Sequence, residues 1–294
     1  MNFGRVFTAM ITPFDKNGEV DYEKTARLAE YLLKNGSDGI VVTGTTGESP
    51  TLTCDEKIKV LQAVKEATGK APVIAGTCSN NTQASVELTK RAEKAGAAGI
   101  LAVTPYYNKP PQEALYRHFK AIADCTSLPI VLYNIPGRSV INIQPETVAR
   151  LAKIENIVCV KESSGVMDIA SNIQRLTDDN FSLYSGEDSL TMPLLGLGAV
   201  GVVSVASHLV GKEIHQMVDL YMEGKHDQAL KMHLYLMDIF KKLFIVANPI
   251  PLKYALNKTG LLGFEVGSCR MPLIDPLDSE KAVLDECLCN YGLL

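Results

Sequence analysis

Short apolar segments alternate with amphipathic segments over most of the chain, and this alternation restricts the possible folds. The apolar segments are rich in Val and Ile, as in Gly39 to Val42 and Pro129 to Tyr133. Segments of this kind are typical of strands buried on both faces of a parallel sheet, and the segments between them have the period of amphipathic helices. About eight strands alternating with eight helices predict an α/β chain built from βα units.

Three junctions between helix and strand repeat one pattern. At residues 36–40, 96–100 and 198–202, a glycine ends a helix and a second glycine enters the next strand. Internal repetition of this kind favours a closed (β/α)8 TIM barrel over an open, doubly wound sheet.

The strand pattern fades near residue 224, and helical segments dominate after it. These helical segments cover residues 227–246, 250–257 and 279–290. The sequence therefore predicts a (β/α)8 barrel over residues 1–224 and a small α-helical C-terminal domain over residues 225–294.

Lys161 follows the apolar segment Ile157 to Val160, at the predicted C-terminal end of a strand. Desolvation lowers the pKa of a lysine from about 10.4, and the free amine attacks a carbonyl carbon to form a Schiff base. A single lysine at a strand end more commonly extends to solvent and has no chemical role. Its function therefore depends on which residues share its end of the barrel.

Polar residues follow several other apolar segments, and the C-terminal ends of all barrel strands meet at one mouth. Phenols transfer protons, hydroxyl and glycine amide groups hold a carboxylate, and arginine binds a second carboxylate with two hydrogen bonds. Together with Lys161, these groups predict imine chemistry that needs no metal and no organic cofactor. The residues are Thr45, Thr46, Tyr106, Tyr107, Tyr133, Arg138, Gly186 and Ser204.

Composition argues against several other classes of function. The net charge of -4 gives no basic surface for nucleic acid, and the five histidines form no metal-ligand motif. Seven cysteines without a CxxC pair indicate a reducing cytoplasm, with Cys159 as inert core. The segment from Met1 to Arg5 lacks the apolar region of a signal peptide.

Two patterns within residues 190–210 are misleading. This segment has no charged residue and is long enough to cross a membrane, but Pro193 and its glycines favour a helix, a turn and a buried strand. Residues 196–201 spell GxGxxG, but here the glycines follow a helix and precede a strand. A dinucleotide site needs the opposite order. We therefore predict neither a membrane segment nor a nicotinamide cofactor.

Five segments resemble motifs of one enzyme family. They are GTTGES at 44–49, TPYYN at 104–108, YNIPGR at 133–138, VKESSG at 160–165 and NPIPLK at 248–253. The chain resembles, nearly end to end, the 4-hydroxy-tetrahydrodipicolinate (dihydrodipicolinate) synthase family of pyruvate-dependent class I aldolases. The resemblance implies a carbon–oxygen lyase that condenses pyruvate with L-aspartate 4-semialdehyde in lysine and diaminopimelate biosynthesis.

The resemblance also implies roles for the residues that carry out the chemistry. Lys161 would form the Schiff base with pyruvate, and Tyr133 would be the acid–base group. Thr45 and Tyr107 would pass protons between Tyr133 and solvent. Tyr107 would come from a neighbouring subunit across a tight dimer, so we expect a homotetramer built as a dimer of dimers.

The remaining implied roles concern substrate binding. Thr46 would hold the pyruvate carboxylate, and Arg138 would bind the carboxylate of aspartate semialdehyde. Gly186 and Val203 would line the pocket through backbone groups.

Feedback inhibition by lysine is expected to be weak or absent. Inhibited members of the family have histidines just after the GTTGES motif and a glutamate after the third strand. This chain has Cys54, Lys57 and either Ala84 or Ser85 at those places. The carboxylate that would pair with the ammonium group of the inhibitor is therefore missing.

Several alternatives remain open from the sequence. The chain could be N-acetylneuraminate lyase or a keto-deoxy-sugar aldolase, or a barrel that binds a ligand without catalysis. Arg138 could form a surface ion pair, and Tyr106 could be a packing residue at a subunit contact. Thr45 and Thr46 could cap a helix, but the capping box at Thr53 to Glu56 already supplies that cap.

Overall fold

A closed parallel barrel forms the centre of the structure, which is a computed structural model describing residues 3–294. Met1 and Asn2, which the predicted barrel and N-terminal segment include, lie outside the described residues. The first strand pairs with both the second and the eighth, which closes the barrel as predicted. The strands are β1 Val6–Ala9, β2 Gly39–Val42, β3 Val73–Gly76, β4 Gly99–Val103, β5 Ile130–Asn134, β6 Ile157–Glu162, β7 Ser182–Ser185 and β8 Gly201–Ser204.

Helices surround the barrel and form the C-terminal region. Two single 3-10 turns, Ser49–Thr51 and Asp188–Leu190, follow β2 and β7. The helices are α1 Tyr22–Lys34, α2 Cys54–Thr68, α3 Thr82–Lys94, α4 Gln112–Ala123, α5 Pro136–Ser139, α6 Pro145–Leu151, α7 Met167–Leu176, α8 Thr191–Leu195, α9 Ser207–Met222, α10 His226–Lys242, α11 Ile250–Thr259 and α12 Asp278–Asn290.

Side-chain caps set where the early helices begin. Asp21 accepts a hydrogen bond from the backbone N–H of Lys24 at the start of α1. Thr53 and Glu56 form the predicted capping box of α2. Each cap satisfies a backbone N–H that has no partner inside the helix, which stabilises that helix by about 1 kcal/mol.

The strand that carries Lys161 extends two residues further than the apolar segment, through Lys161 and Glu162. In β6, Lys161 pairs with Tyr133 of β5, and Glu162 pairs with Asn134. Glu162 is buried, and Asn134 Nδ2 donates to its carboxylate at 2.9 Å, which partly satisfies the buried group. This pairing places the lysine and the tyrosine side by side at the barrel mouth.

Two helices around the barrel are irregular. Residues 136–139 form the short helix α5 directly after β5, because Pro136 occupies the first helical turn, where a missing N–H costs nothing. The last barrel helix, α9, begins at Ser207 and bends at Val210.

The C-terminal helices α10, α11 and α12 pack together, and α10 also packs on α9. The domain boundary after residue 224 stays a prediction, although Gly224 does lie in the turn between α9 and α10. Within residues 3–294, no helix is both long enough and apolar enough to cross a membrane.

Candidate active site

Lys161 lies near the end of β6 and is 5% exposed. Its ammonium nitrogen lies 4.1 Å from the centroid of the Tyr133 ring. The face of an aromatic ring attracts a cation, so the Tyr133 ring holds the lysine side chain at the mouth of the barrel. The phenol and the amine are therefore neighbours, as the sequence predicts.

Gly186 leaves the space that the Lys161 side chain occupies. A Cβ at this position would lie 2.9 Å from both Cγ and Cε of Lys161 and would overlap Ser163 Oγ. Real Cβ atoms do not make contacts this short, so a larger residue would displace the lysine. Gly186 thus sets the path of the lysine side chain.

A cavity of about 500 Å³ opens above Lys161. It brings together six of the eight residues that the sequence predicts for the site. It also exposes hydroxyl, amide and carboxylate groups that the prediction did not include. The polar lining residues are Thr45, Thr46, Tyr133, Arg138, Lys161, Ser163, Glu187 and Asn248, and Gly186 lies between them.

Asn248 connects two of the predicted substrate-binding residues. Its Nδ2 donates to Thr46 Oγ1 at 2.9 Å, and its backbone carbonyl accepts from Arg138 Nη2 at 3.4 Å. Thr46 is buried, and because its oxygen accepts from Asn248, its O–H is available to donate to a ligand. The C-terminal region thus completes the site.

A second cavity, of about 240 Å³, lies against the first. Thr45, Tyr133 and Arg138 line both cavities, and Tyr106 lines only the second. Thr45 and Tyr133 therefore lie at the wall between the two cavities.

Tyr107 does not join this group within the chain. Its side chain is 87% exposed, and its backbone φ of +73° is unusual for a residue other than glycine. Val203 is buried in β8, and it lines a small cavity deeper in the barrel with Cys159 and Tyr184. Val205 instead reaches the mouth.

Buried carboxyl groups lie around the site. Asp188 accepts hydrogen bonds from Ser204 Oγ and from the backbone N–H groups of Val205 and Ala206. Burial raises the pKa of Asp188 and Glu187, and it also raises the pKa of Glu162. Asp188 thus links the end of β7 to the end of β8.

Glu187, Asp188 and Asn248 were missed by the sequence analysis. The first two follow Gly186 directly at the end of β7, so the strand-end argument that selected Gly186 also applied to them. Asn248 lies in a recognised motif, but no local pattern predicted that it faces the barrel mouth.

The site can support amine chemistry on a carboxylate-bearing carbonyl compound. The Lys161 amine can act as a nucleophile and the Tyr133 phenol as an acid–base group, and Thr46 and Arg138 can donate hydrogen bonds to carboxylates. Among residues 3–294, no group of three or more His, Cys, Asp or Glu side chains comes together in a way that could hold a metal ion.

Comparisons with known proteins find relatives over nearly the whole chain. The model of the dihydrodipicolinate synthetase family matches residues 2–289. The 4-hydroxy-tetrahydrodipicolinate synthase of Synechococcus sp. is 55% identical over 295 residues, covering 100% of this chain and 95% of that protein.

Solved structures of similar proteins share the whole fold. The chain is similar to dihydrodipicolinate synthase (DHDPS) from Cyanidioschyzon merolae with lysine bound, at 47% identity and a TM-score of 0.96 over 99% of each chain. It is also similar to the chloride-inhibited dihydrodipicolinate synthase from Acinetobacter baumannii complexed with pyruvate, at 35% identity and a TM-score of 0.95 over 100% of each chain.

Proposed function

The chain belongs to the dihydrodipicolinate synthetase family and is a lyase, and on this premise we propose that it condenses pyruvate with L-aspartate 4-semialdehyde to give 4-hydroxy-tetrahydrodipicolinate. The observation that carries the proposal is the Lys161 amine beside the Tyr133 ring, in one cavity with the Thr46 hydroxyl and the Arg138 guanidinium. The pyruvate bound to the Acinetobacter baumannii relative supports the same keto acid.

The reaction begins at Lys161. Its free amine adds to the C2 carbonyl of pyruvate and expels water to form an imine, while Thr46 holds the pyruvate carboxylate. Loss of a methyl proton converts the imine to an enamine. The enamine carbon then attacks the aldehyde carbon, and the new alkoxide takes a proton from Tyr133.

Ring closure releases the enzyme. The amine of the bound semialdehyde attacks the imine carbon and displaces the Lys161 amine, so the lysine is regenerated and the heterocycle keeps the new hydroxyl. One water is released for each pair of substrates. Thr45 and a Tyr107 from a second subunit would return protons to Tyr133, which is supported by the exposure of Tyr107 and by Thr45 at the shared wall.

The proposal includes the assembly and location of the enzyme. A homotetramer built from two tight dimers would supply Tyr107 to each site. The barrel over residues 1–224 would carry the chemistry, with Val203 contributing backbone groups and residues 225–294 forming the helical domain. Seven free cysteines support a cytoplasmic location, where thiols stay reduced.

Weak or absent inhibition by lysine is also proposed. Ala84, in the first turn of α3, offers no carboxylate. Lys57 adds a cation near Cys54 and Cys78. The solved structure of the Cyanidioschyzon merolae relative has lysine bound, so binding of lysine to this chain should be measured directly. A titration of initial rate with L-lysine tests it, and half-inhibition below millimolar lysine would refute the proposal.

The assay of the main reaction uses purified enzyme with pyruvate and aspartate semialdehyde. Pyruvate loss and formation of the heterocyclic product are followed together, and N-acetylmannosamine replaces the semialdehyde in a parallel tube. We expect turnover only with the semialdehyde, and borohydride should trap pyruvate on Lys161. Turnover with the sugar alone would overturn the assignment, and Lys161→Ala should abolish both turnover and trapping.

A further inference from the structure

Val140 has a strained backbone conformation just after Arg138. Its φ is +70°, in the left-handed region, where a β-branched residue is disfavoured. The side chain is 63% exposed, so burial of the valine does not offset this cost. Strained backbone of this kind persists only where the surrounding contacts hold it, and it clusters at functional sites.

Two side chains from neighbouring elements clamp the turn that follows the strained valine. Gln112, the first residue of α4, donates from Nε2 to the backbone carbonyl of Asn142 at 2.8 Å, and its Oε1 accepts from the backbone N–H of Gln144 at 3.0 Å. Asn134, the last residue of β5, accepts from the backbone N–H of Ile143 at 3.0 Å and donates to Asn142 Oδ1 at 3.2 Å. These four hydrogen bonds fix the residues directly after the strained one.

The direction of Arg138 depends on this clamp, because its helix α5 has only four residues. A single helical turn has little stability of its own, so its orientation is set by the segments at its two ends. The end of β5 fixes one side of α5. The clamped turn fixes the other side, where the backbone N–H of Val140 donates to the carbonyl of Pro136 at 2.8 Å.

The clamp also reaches the strand of the proposed nucleophile. Asn134 Nδ2 donates to the Glu162 carboxylate at 2.9 Å, and Glu162 directly follows Lys161 in β6. Asn134 is fully buried, so water does not compete for this contact. One side chain thus connects the segment after Arg138 with the strand of Lys161.

We propose that Gln112 and Asn134 are positioning residues. They hold the strained turn at Val140, and the turn keeps Arg138 in a fixed place relative to Lys161. Without the clamp, the valine would return to a negative φ and move the arginine away from its place at the barrel mouth. The inference rests on the proposed function, in which Arg138 binds the carboxylate of aspartate semialdehyde.

Gln112→Ala tests the clamp without emptying the barrel core, because Gln112 is only partly buried. The KM for aspartate semialdehyde should rise about 3- to 10-fold, the factor that corresponds to about one net hydrogen bond. The KM for pyruvate and borohydride trapping on Lys161 should stay unchanged, because Gln112 and the turn do not contact the lysine.

A second substitution at Val140 should rescue this variant. Glycine adopts a positive φ without steric cost, so Gln112→Ala with Val140→Gly should have a KM for aspartate semialdehyde within about twofold of wild type. Alanine keeps a Cβ that opposes a positive φ, so Gln112→Ala with Val140→Ala is the matched control and should keep the raised KM. Val140→Gly alone should leave both KM values near wild type and should not lower the midpoint of denaturation.

Each outcome decides the proposal. An unchanged KM for aspartate semialdehyde in Gln112→Ala would overturn it, and so would an equal rise for both substrates, which would indicate a general loss of structure. Equal rescue by glycine and alanine, or rescue by neither, would also overturn it, because strain at residue 140 would then have no effect. A wild-type enzyme that does not consume aspartate semialdehyde would instead refute the proposed function, and this inference with it.

Discussion

Among the individual residues, Gly186 has the most direct influence on the proposed nucleophile. We expect Gly186→Ala to reduce turnover at least about 100-fold, because the new Cβ would occupy the path of the Lys161 side chain. The measurement is borohydride trapping of pyruvate on Lys161, together with kcat.

Gly137 provides the control for Gly186. A Cβ at Gly137 meets no atom within 4 Å, so Gly137→Ala should still allow trapping on Lys161. Full trapping in Gly186→Ala would contradict the role of this glycine in positioning the lysine.

His208 makes stability depend on pH. Its Nδ1–H donates to Val205 O at 2.8 Å, and its Nε2 accepts from the backbone N–H of Ile11 at 3.2 Å. A second proton on the ring would place Nε2–H against the backbone N–H of Ile11. Burial lowers the pKa of His208 to about 4.

The unfolded chain therefore binds a proton at His208 at a higher pH than the folded chain does. Stability from this group is complete above about pH 6.5 and is lost as the pH falls towards about 4, by about 2–3 kcal/mol. Denaturant unfolding across this range should show a shallower pH dependence in His208→Gln. An identical slope in wild type and variant would rule out this contribution.

At the scale of elements, one buried ion pair joins the barrel to the C-terminal helices. Lys253 Nζ of α11 lies 2.7 Å from Glu48 Oε1 in the loop after Thr45 and Thr46, and both side chains are 2% exposed or less. A second contact holds the same loop, because the backbone N–H of Arg270 donates to Glu48 Oε2 at 2.8 Å.

Removing one member of this ion pair should lower the free energy of unfolding more than removing both members. Lys253→Met leaves the Glu48 carboxylate buried without its cation, so we expect a loss of about 3–5 kcal/mol in the free energy of unfolding. The double variant Glu48→Gln with Lys253→Met should recover most of it. Denaturant titration measures both, and a double variant as unstable as Lys253→Met would contradict the account.

For the whole molecule, the proposed exchange of Tyr107 between subunits gives a complementation test. Tyr107→Phe retains Lys161, and Lys161→Ala retains Tyr107. A mixed dimer of these chains has one site with both groups intact if Tyr107 acts on its partner. We expect mixtures that have exchanged subunits to be more active than either variant alone, as measured by pyruvate consumption.

The unmixed variants are the controls for this experiment, and sedimentation checks that mixed dimers have formed. Activity that stays at the level of the separate variants after exchange would mean that Tyr107 does not act across subunits. A fully active monomer would exclude the proposed assembly as well.

The sequence by itself determined the barrel and most of the mouth. Strand ends in a parallel barrel meet at one edge, so the residues after each apolar segment could be grouped without coordinates, and Lys161, Tyr133, Thr45, Thr46, Arg138 and Gly186 were found in this way. Local signals such as the Asp21 cap and the Thr53 capping box also set the helix starts, because these interactions span only three residues.

Only the tertiary structure decided how the C-terminal region takes part. Asn248 meets Thr46 across 202 residues of chain, and Lys253 meets Glu48 across a similar separation. Neither contact leaves a periodic or local pattern in the sequence, because each depends on how the helices pack over the barrel mouth. The chain order thus predicted which groups share the mouth, whereas packing decided which C-terminal residues contact them.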